Sequence, residues 1–429
     1  MPRAMLKKSD LSSPEKKLIE AAGRCVACGL CLPHCPTYRK TLNEADSPRG
    51  RIMLMSAVMN GDLPATRNFI GHIDQCLTCR ACEAACPNDV AYGQLVNQIR
   101  NAVEPLRHRK PLVRFMRRWA LDGVASGRNG VAWMARAIRL WESLGGRRLF
   151  KALGRRGYLS QLANGAEILP PLAGTSSWRT HYPAEGRERH RVALFLGCVA
   201  RVLDHETLRA GVFVLNRLGC SVDVPSGQNC CGALHAGQGE LDKASLLAHG
   251  NLAAFPVGKW DAVIVTATGC GAALREYPLL AGDDAKAFSG KVSEIGEFIA
   301  GREGWRSVDI QPLHEKIAVH EPCSLRNVMR GQSSLYQLLR CIPGAKLEEL
   351  GGNEQCCGAG GAYQLSQPEM SALLLADKVA AMKESGAKII ASPNFGCARH
   401  LAAGARRAGL DVEVVHPIVL LARQMGFER

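Results

Sequence analysis

The feature that most constrains this chain is a cysteine motif that occurs twice near its amino end. The motif C-x2-C-x2-C-x3-C-P spans 25–36 and again 76–87. Three thiolates spaced by two residues can wrap one face of a cubane cluster, and in paired sites the fourth cysteine crosses to the other cluster. We therefore expect two [4Fe–4S] clusters with exchanged ligands. Cluster 1 is assigned to Cys25, Cys28, Cys31 and Cys86, and cluster 2 to Cys76, Cys79, Cys82 and Cys35.

Structural zinc and disulfides are the alternative uses for so many thiols. Zinc sites usually take two C-x2-C pairs, four ligands to one ion, and a doubled triplet followed by Cys-Pro fits them poorly. The chain has 18 cysteines among 429 residues, whereas disulfide-dense folds are usually far shorter and secreted. Its first residues, MPRAMLKKSDLSSPEKK, contain no apolar stretch typical of a signal peptide. We therefore expect a cytoplasmic protein.

The residue pattern predicts an α+β multidomain chain with four segments. The first is an α-helical ferredoxin-like module, because helical patterns surround the cysteines and few β-branched runs occur there. Its helix RGRIMLMSAVMN follows Asp46-Ser47-Pro48 and ends at Gly61. A basic helical connector and two repeated α/β domains follow it. The four segments are 1–105, 106–190, 191–312 and 313–429.

The two α/β domains repeat the same order of strands and cysteines. Short β-branched runs such as VALFLG (192–197) and IAVHEP (317–322) each precede a cysteine. From the first cysteine to the Cys-Cys-Gly motif is 32 residues in one copy and 33 in the other. From that motif to the last cysteine is 39 residues and then 40. The agreement predicts two copies of one unit with parallel strands and crossover helices.

Each copy places four thiols at strand ends, where ligands gather in parallel α/β sheets. They are candidates for a third [4Fe–4S] cluster or a zinc ion, and buried core cysteines without metal are the alternative. The second-copy thiols are Cys323, Cys356, Cys357 and Cys397, and the first-copy thiols are Cys198, Cys230, Cys231 and Cys270.

The motifs Cys230-Cys231-Gly232 and Cys356-Cys357-Gly358 resemble the cysteine-rich CCG domains of the heterodisulfide-reductase-related family. Joined to the doubled ferredoxin motif, they make the chain most similar to the iron–sulfur subunits of glycolate oxidase (glycolate dehydrogenase). The stretches that carry this resemblance are SPRGRI (47–52), CLTCRACEAACP (76–87) and TGCGA (268–272). By analogy with related CCG proteins, the second copy is the favoured site for a further metal.

The resemblance implies an electron-transfer subunit of a multi-subunit 2-hydroxy-acid dehydrogenase. A partner subunit containing FAD would oxidise glycolate, and electrons would leave to a quinone-type acceptor. Substrate oxidation would not occur on this chain, in which we find no nucleotide motif and no catalytic base. Related D-lactate or glycerol-3-phosphate dehydrogenases, and redox catalysis at the CCG domains, are the alternatives. CCG units that reduce disulfides often end in C-x2-C, and this chain has Ala273 and His400 at those positions.

The charge is concentrated in the connector. The net charge is +15, and residues 101–160 contribute 14 Lys+Arg against 3 Asp+Glu. Apolar stripes that include Trp119 and Trp141 lie beside these arginines, a pattern typical of interfacial helices. We expect this region either to contact the inner face of the plasma membrane or to pack against protein. Nucleic acid is disfavoured because aromatic residues are 5% of the chain and no nucleic-acid-binding motif occurs.

Metal analysis tests the cluster assignment. Anaerobically purified protein should contain about eight irons per chain if the repeats hold none, and about twelve if one repeat holds a third cluster. Acid-labile sulfide should match the iron in either case. Colourless protein with zinc in place of iron would contradict the interpretation.

Overall fold

The computed structural model describes residues 20–107, 178–302 and 308–428, with single positions between 111 and 140. Most of the basic connector predicted over 106–190, including the stripe at Trp141, lies outside these residues. In the other stripe, Phe115 and Trp119 are described and exposed. Within the described part of the chain, no helix combines the length and apolar character needed to cross a bilayer.

The amino-terminal module is helical, as predicted. Its core is formed by residues such as Met55, Ile73, Leu95 and Ile99, all buried in one cluster. Its described α-helices are α1 (Pro36–Thr41), α2 (Pro48–Asn60), α3 (Arg67–Asp74), α4 (Ala81–Ala84) and α5 (Tyr92–Val103), with 3₁₀ turns at Glu44–Asp46 and Glu104–Leu106.

Helix α2 shows why the sequence folds as it does here. The hydroxyl of Ser47 accepts a hydrogen bond from the Gly50 N–H at 2.9 Å, and Pro48 occupies the first turn. This side-chain cap satisfies one backbone donor that the helix itself leaves free. Gly61 ends the helix with φ +82°, a left-handed conformation that glycine adopts without strain. The predicted beginning and end of this helix are both confirmed.

The first repeat contains a five-stranded sheet in the order β1-β3-β2-β4-β5. All neighbouring strands are parallel except β1, which pairs antiparallel with β3. Its strands are β1 (His181–Tyr182), β2 (His190–Leu194), β3 (Cys220–Asp223), β4 (Ala262–Val265) and β5 (Val292–Glu294). Its helices are α6 (Ala200–Leu203), α7 (His205–Arg217), α8 (Ala233–Gly237), α9 (Leu241–Ala254), α10 (Thr268–Arg275), α11 (Pro278–Ala281), α12 (Lys286–Ser289) and α13 (Ile295–Ala300), with a 3₁₀ turn at Asp283–Ala285.

The second repeat contains a four-stranded parallel sheet in the order β7-β6-β8-β9. Its strands are β6 (Lys316–Val319), β7 (Lys346–Glu349), β8 (Ile389–Ala391) and β9 (Glu413–Val415). Its helices are a π-helix (Ser324–Met329), α14 (Gln332–Arg340), α15 (Tyr363–Ser366), α16 (Pro368–Ser385), α17 (Phe395–Arg407) and α18 (Pro417–Gln424).

The two sheets share one topology, which confirms the predicted repeat. The central strand, β2 in the first repeat and β6 in the second, lies between the two strands that follow it in the chain. The two strands that follow the central strand therefore lie on opposite sides of it. In such a sheet a crevice opens beyond the carboxyl ends of the strands. Sequence analysis missed the edge strands β1, β5 and β9, which are only two or three residues long.

The two repeats contact each other close to this crevice. The Thr268 hydroxyl of α10 lies 2.7 Å from the Ser324 hydroxyl of the π-helix. His416 donates from Nε2 to the Thr266 carbonyl at 2.8 Å, while its Nδ1 accepts the N–H of Ile418. These bonds hold the strand ends of one repeat against those of the other.

Gly50 is expected to be essential for stability, because a Cβ there would overlap the backbone carbonyl of Glu44. We expect Gly50→Ala to lower the free energy of unfolding by roughly 3 kcal/mol. Gly71→Ala is the matched control, since no atom lies within 4 Å of its added Cβ. That change should stabilise by at most about 1 kcal/mol. Thermal unfolding of anaerobic, cluster-loaded protein measures both, and equal midpoints would contradict the packing argument.

Candidate metal centres

The two amino-terminal cysteine loops share an unusual backbone conformation. In the first loop Ala27 and Gly29 have φ of +54° and +87°, and in the second Thr78 and Arg80 have φ of +53° and +60°. Positive φ strains a β-branched residue such as Thr78, and such strain persists where the surroundings enforce it. In the second turn the Thr78 N–H donates to the Cys76 Sγ at 3.3 Å. Such turns suit an anionic occupant.

Two cavities collect the eight thiols of these loops. Cys82 lines both cavities, whereas Cys86 lines only the first and Cys35 only the second. The other thiols of the first cavity are Cys25, Cys28 and Cys31, and those of the second are Cys76 and Cys79. Each cavity thus gathers one cysteine triplet with the last cysteine of the other motif.

The second cavity suits an anionic group such as a thiolate-bound cluster. Cys35 Sγ lies 3.2 Å from the Thr37 hydroxyl at its edge. Arg51 is fully buried against it, and its Nη2 has no hydrogen-bond partner among the described residues. An unsatisfied buried guanidinium is costly unless negative charge compensates it. A cluster held by four thiolates supplies that charge.

The first cavity is nearer to solvent. Of the 18 cysteines, all of which the structure describes, Cys28 alone is exposed. Arg49 lines this cavity and donates to the Ala27 carbonyl at 3.1 Å, while its Nε pairs with Glu44 at 2.6 Å. Arg49 and Arg51, both in the SPRGRI stretch, each line one of the two cavities.

The four thiols of the second repeat come together beyond the carboxyl ends of its strands. Cys357 Sγ lies 3.2 Å from Cys397 Sγ, and Cys356 contacts both Cys357 and Cys323. Hydrogen bonds from Cys356 and Cys397 hold the pKa of Cys357 well below the ordinary thiol value. This arrangement stabilises a thiolate at Cys357, which is the form that binds metals.

Nitrogen-containing side chains surround these thiols. One ring nitrogen of His320 lies within 4.8 Å of the sulfurs of Cys357 and Cys397. Burial lowers the pKa of His320 to about 4, so the ring is neutral near pH 7 and can offer a lone pair. His400 contacts the Ser371 hydroxyl at 3.2 Å, and burial also lowers its pKa. Lys378 is buried, and its Nζ donates to the Gly352 carbonyl at 2.6 Å.

The first repeat gathers its four thiols in a more neutral setting. Cys230 Sγ lies 3.3 Å from Cys198 Sγ, and Cys231 contacts Cys270. Asn251 donates to the Cys230 carbonyl at 2.9 Å, and the Tyr277 hydroxyl donates to the Cys231 carbonyl at 3.2 Å. Phe195 occupies the strand position that corresponds to His320.

One cavity of about 760 Å³ joins the repeats to the amino-terminal module. The thiols of both repeats line it together with Cys76 and Cys79. Cys79 and Cys323 both pack against one buried cluster that contains Leu77, Cys356 and Tyr363. The Cys79 carbonyl accepts a hydrogen bond from Asn327 at 2.8 Å. The second cysteine loop therefore packs directly on the second repeat.

Sequence analysis missed the residues that join these modules. The Tyr363 hydroxyl donates to the Gln75 carbonyl at 2.9 Å, and Arg80 pairs with Glu276. These partners are hundreds of residues apart in sequence, so no local motif marks them. Arg100 was also missed, although a charged residue on the otherwise apolar face of α5 could have indicated a buried arginine.

A helical module with two cysteine loops, followed by two CCG domains, defines a class of multi-centre iron–sulfur proteins. Comparison with family models agrees: a 4Fe-4S dicluster domain matches residues 21–90, and a cysteine-rich (CCG) domain matches 192–275 and 317–402.

The chain belongs to the family of glycolate oxidase iron–sulfur subunits. It is 34% identical to the probable glycolate oxidase iron–sulfur subunit of Bacillus subtilis over 416 residues, 94% of each chain. It is 30% identical to the glycolate oxidase iron–sulfur subunit of Escherichia coli, over 89% of this chain and 90% of that protein. Lactate utilization protein A of Bacillus velezensis is 31% identical over 53% of this chain and 96% of that one.

Single cysteine substitutions test the exchange of ligands between the two loops. Cys35→Ala and Cys76→Ala should remove the same cluster, and the reduced variants should leave the same residual electron paramagnetic resonance spectrum. Cys25→Ala and Cys86→Ala should share the other residual spectrum. Each variant should lose about four irons. Cys220→Ala, a buried strand thiol outside these sites, is the control and should lose none. A Cys35→Ala spectrum that matches Cys25→Ala would mean that the ligands are not exchanged.

Proposed function

We propose that this chain is the electron-transfer subunit of a multi-subunit 2-hydroxy-acid dehydrogenase whose substrate is glycolate. A partner subunit containing FAD oxidises the hydroxy acid, and a quinone-type acceptor receives the electrons. The observation that carries the proposal is the unbroken series of cysteine sites. It runs from the exposed Cys28 loop, past Cys82 in the wall of both cavities, to Cys79 against Cys323.

The ligand sets proposed for the two clusters follow the two cavities. Cluster 1 takes Cys25, Cys28, Cys31 and Cys86, and cluster 2 takes Cys76, Cys79, Cys82 and Cys35. Each cluster stores and passes single electrons when bound. The protein's part is to hold the sulfurs in place through the strained loops around Thr78 and Ala27, and the Thr78 N–H donates to the Cys76 Sγ.

The second repeat is the favoured position for a further metal. Its thiolate at Cys357 and the adjacent neutral ring of His320 form a donor set of sulfur and nitrogen. That set suits either a third cluster or zinc. The first repeat is the less favoured position because its thiols lie among amide and phenol groups, and Phe195 occupies the position that corresponds to His320.

Partners are inferred from the relatives. Proteins named as iron–sulfur subunits of glycolate oxidase imply other subunits, and we assign the flavin and substrate oxidation to them. The name of the lactate utilization relative points to lactate as the alternative substrate. We propose that the complex works in the cytoplasm, where thiols stay reduced and can bind metal, beside the membrane that holds the quinone.

A second candidate function is redox catalysis at the CCG cysteines. One observation favours it: thiols of both repeats line the shared cavity of about 760 Å³, which is large enough for a small substrate. In this case the cysteine sites of the repeats would reduce a small substrate bound in the shared cavity.

Removal of the chain from the complex tests the main proposal. Without it, glycolate should still reduce the partner's flavin, while turnover with a quinone analogue should fall to background. Adding back wild-type chain or the Cys220→Ala control should restore turnover, and Cys79→Ala should not. D-Lactate and glycerol 3-phosphate tested in parallel identify the substrate. Undiminished turnover with the quinone analogue in the absence of this chain would refute the proposal.

A further inference from the structure

A buried, unpaired cation lies beside the second cysteine loop. Arg100 is 6% exposed and donates four hydrogen bonds, all to uncharged acceptors. The shortest, 2.6 Å, goes to the Cys76 carbonyl, and the others go to Ile73, Thr78 and Gly237. Among the described residues no carboxylate pairs with it. Its full positive charge therefore lies next to the proposed ligands of cluster 2.

A second guanidinium lies on another side of the same site. Arg51 is 1% exposed and lines the cavity that contains Cys35, Cys76 and Cys82. It donates to the His72 carbonyl at 2.7 Å and to the Thr37 hydroxyl at 3.1 Å. Asp46 is the nearest carboxylate, at 3.6 Å, and its Oδ1 lies closer to His72, at 2.8 Å. Asp46 thus offsets only part of the Arg51 charge.

The remaining cation at this site is neutralised. Arg80 lines the cavity, but it forms a two-pronged ion pair with Glu83 and a further pair with Glu276. This group of one cation and two carboxylates has a net charge of −1, and water screens that charge because the three side chains are 15%, 20% and 33% exposed.

Among the described residues that line the first site, none is a buried cation of this kind. Arg49 pairs with Glu44 and its side chain is 31% exposed, so water and a carboxylate both screen its charge. Arg24 also lines this cavity and is exposed. Exposed Cys28 opens the same site to solvent. The two cluster sites therefore differ strongly in the charge that acts on them.

The difference matters because reduction makes a thiolate-bound cluster more negative. A nearby cation that water does not screen stabilises the reduced state and raises the reduction potential. Burial acts the other way, since a low dielectric disfavours the more highly charged state. Among the buried side chains at the second site, two guanidiniums face one carboxylate, Asp46, which leaves a positive balance.

We propose that Arg51 and Arg100 raise the reduction potential of cluster 2 above that of cluster 1, so that electrons enter at the exposed Cys28 loop and run towards the second repeat. The inference rests on the proposed function, and specifically on two clusters in the amino-terminal module. It makes the transfer directional and places the partner subunit's electron donor at the Cys28 loop.

The wild-type protein provides a first test that needs no substitution. A dysprosium chelate in solution speeds the spin relaxation of exposed paramagnetic centres, so it should relax mainly the cluster at Cys28. In a redox titration followed by electron paramagnetic resonance, the relaxed signal should appear at the most negative potential. The inference is overturned if the relaxed signal appears at a more positive potential than the signal that the chelate leaves unchanged.

Substitutions provide the second test. Arg100→Met and Arg51→Met should each lower the more positive of the two midpoints. At the wild-type midpoint, the ratio of reduced to oxidised cluster should fall about tenfold, which corresponds to about 59 mV for one electron. Arg100→Lys keeps the charge and should keep the midpoint. Arg49→Met is the control at the first site and should leave the more positive midpoint unchanged.

Iron content distinguishes failure of this inference from failure of the proposed electron-transfer function. If the Met variants retain about eight irons and both midpoints stay in place, the inference fails while the electron-transfer function stands. If wild-type protein shows no reducible cluster, the proposed function itself fails. A Met variant that does not fold leaves the decision to the relaxation measurement on the wild type.

Discussion

Gathering many thiol sulfurs in a dry interior is the physical constraint on which this structure depends. Burial and neighbouring cysteines raise the pKa values of Cys82 and Cys356, so these thiols resist ionisation together. Metal binding removes the conflict, because it deprotonates the thiols and compensates their charge. The strained turns at Thr78 and Ala27, and the Nη2 of Arg51 that lacks a hydrogen bond, fit cavities that hold an anionic group of this kind.

The fold meets the constraint in two ways. In the amino-terminal module, short helices carry two cysteine loops, and the last cysteine of each motif reaches across to the other cavity. In the repeats, the carboxyl ends of three parallel strands bring four thiols together at the crevice beside the central strand. One architecture has thus produced two different settings: His320 and Lys378 accompany the thiols of the second repeat, and Phe195 and Asn251 accompany those of the first.

Local sequence patterns predicted much of this arrangement. The cap at Ser47, the end of α2 at Gly61 and the repeated strands before Cys198 and Cys323 are fixed by neighbouring residues, so they could be read directly. The edge strands β5 and β9 could not, because three residues carry too little pattern. The contact of Cys79 with Cys323 depends on how whole modules pack, which no spacing within one module reveals. The roles of Arg51 and Arg100 likewise depend on burial, which distinguishes them from the screened Arg49.

The most direct test of the central claim is anomalous diffraction from anaerobically grown crystals at the iron absorption edge. The account predicts two compact iron centres in the amino-terminal module, one among Cys25, Cys28, Cys31 and Cys86 and the other among Cys76, Cys79, Cys82 and Cys35. Each triplet would then share its cluster with a cysteine from the other motif. Anomalous density at the zinc edge only, or iron centres bounded by the four cysteines of a single motif, would contradict it.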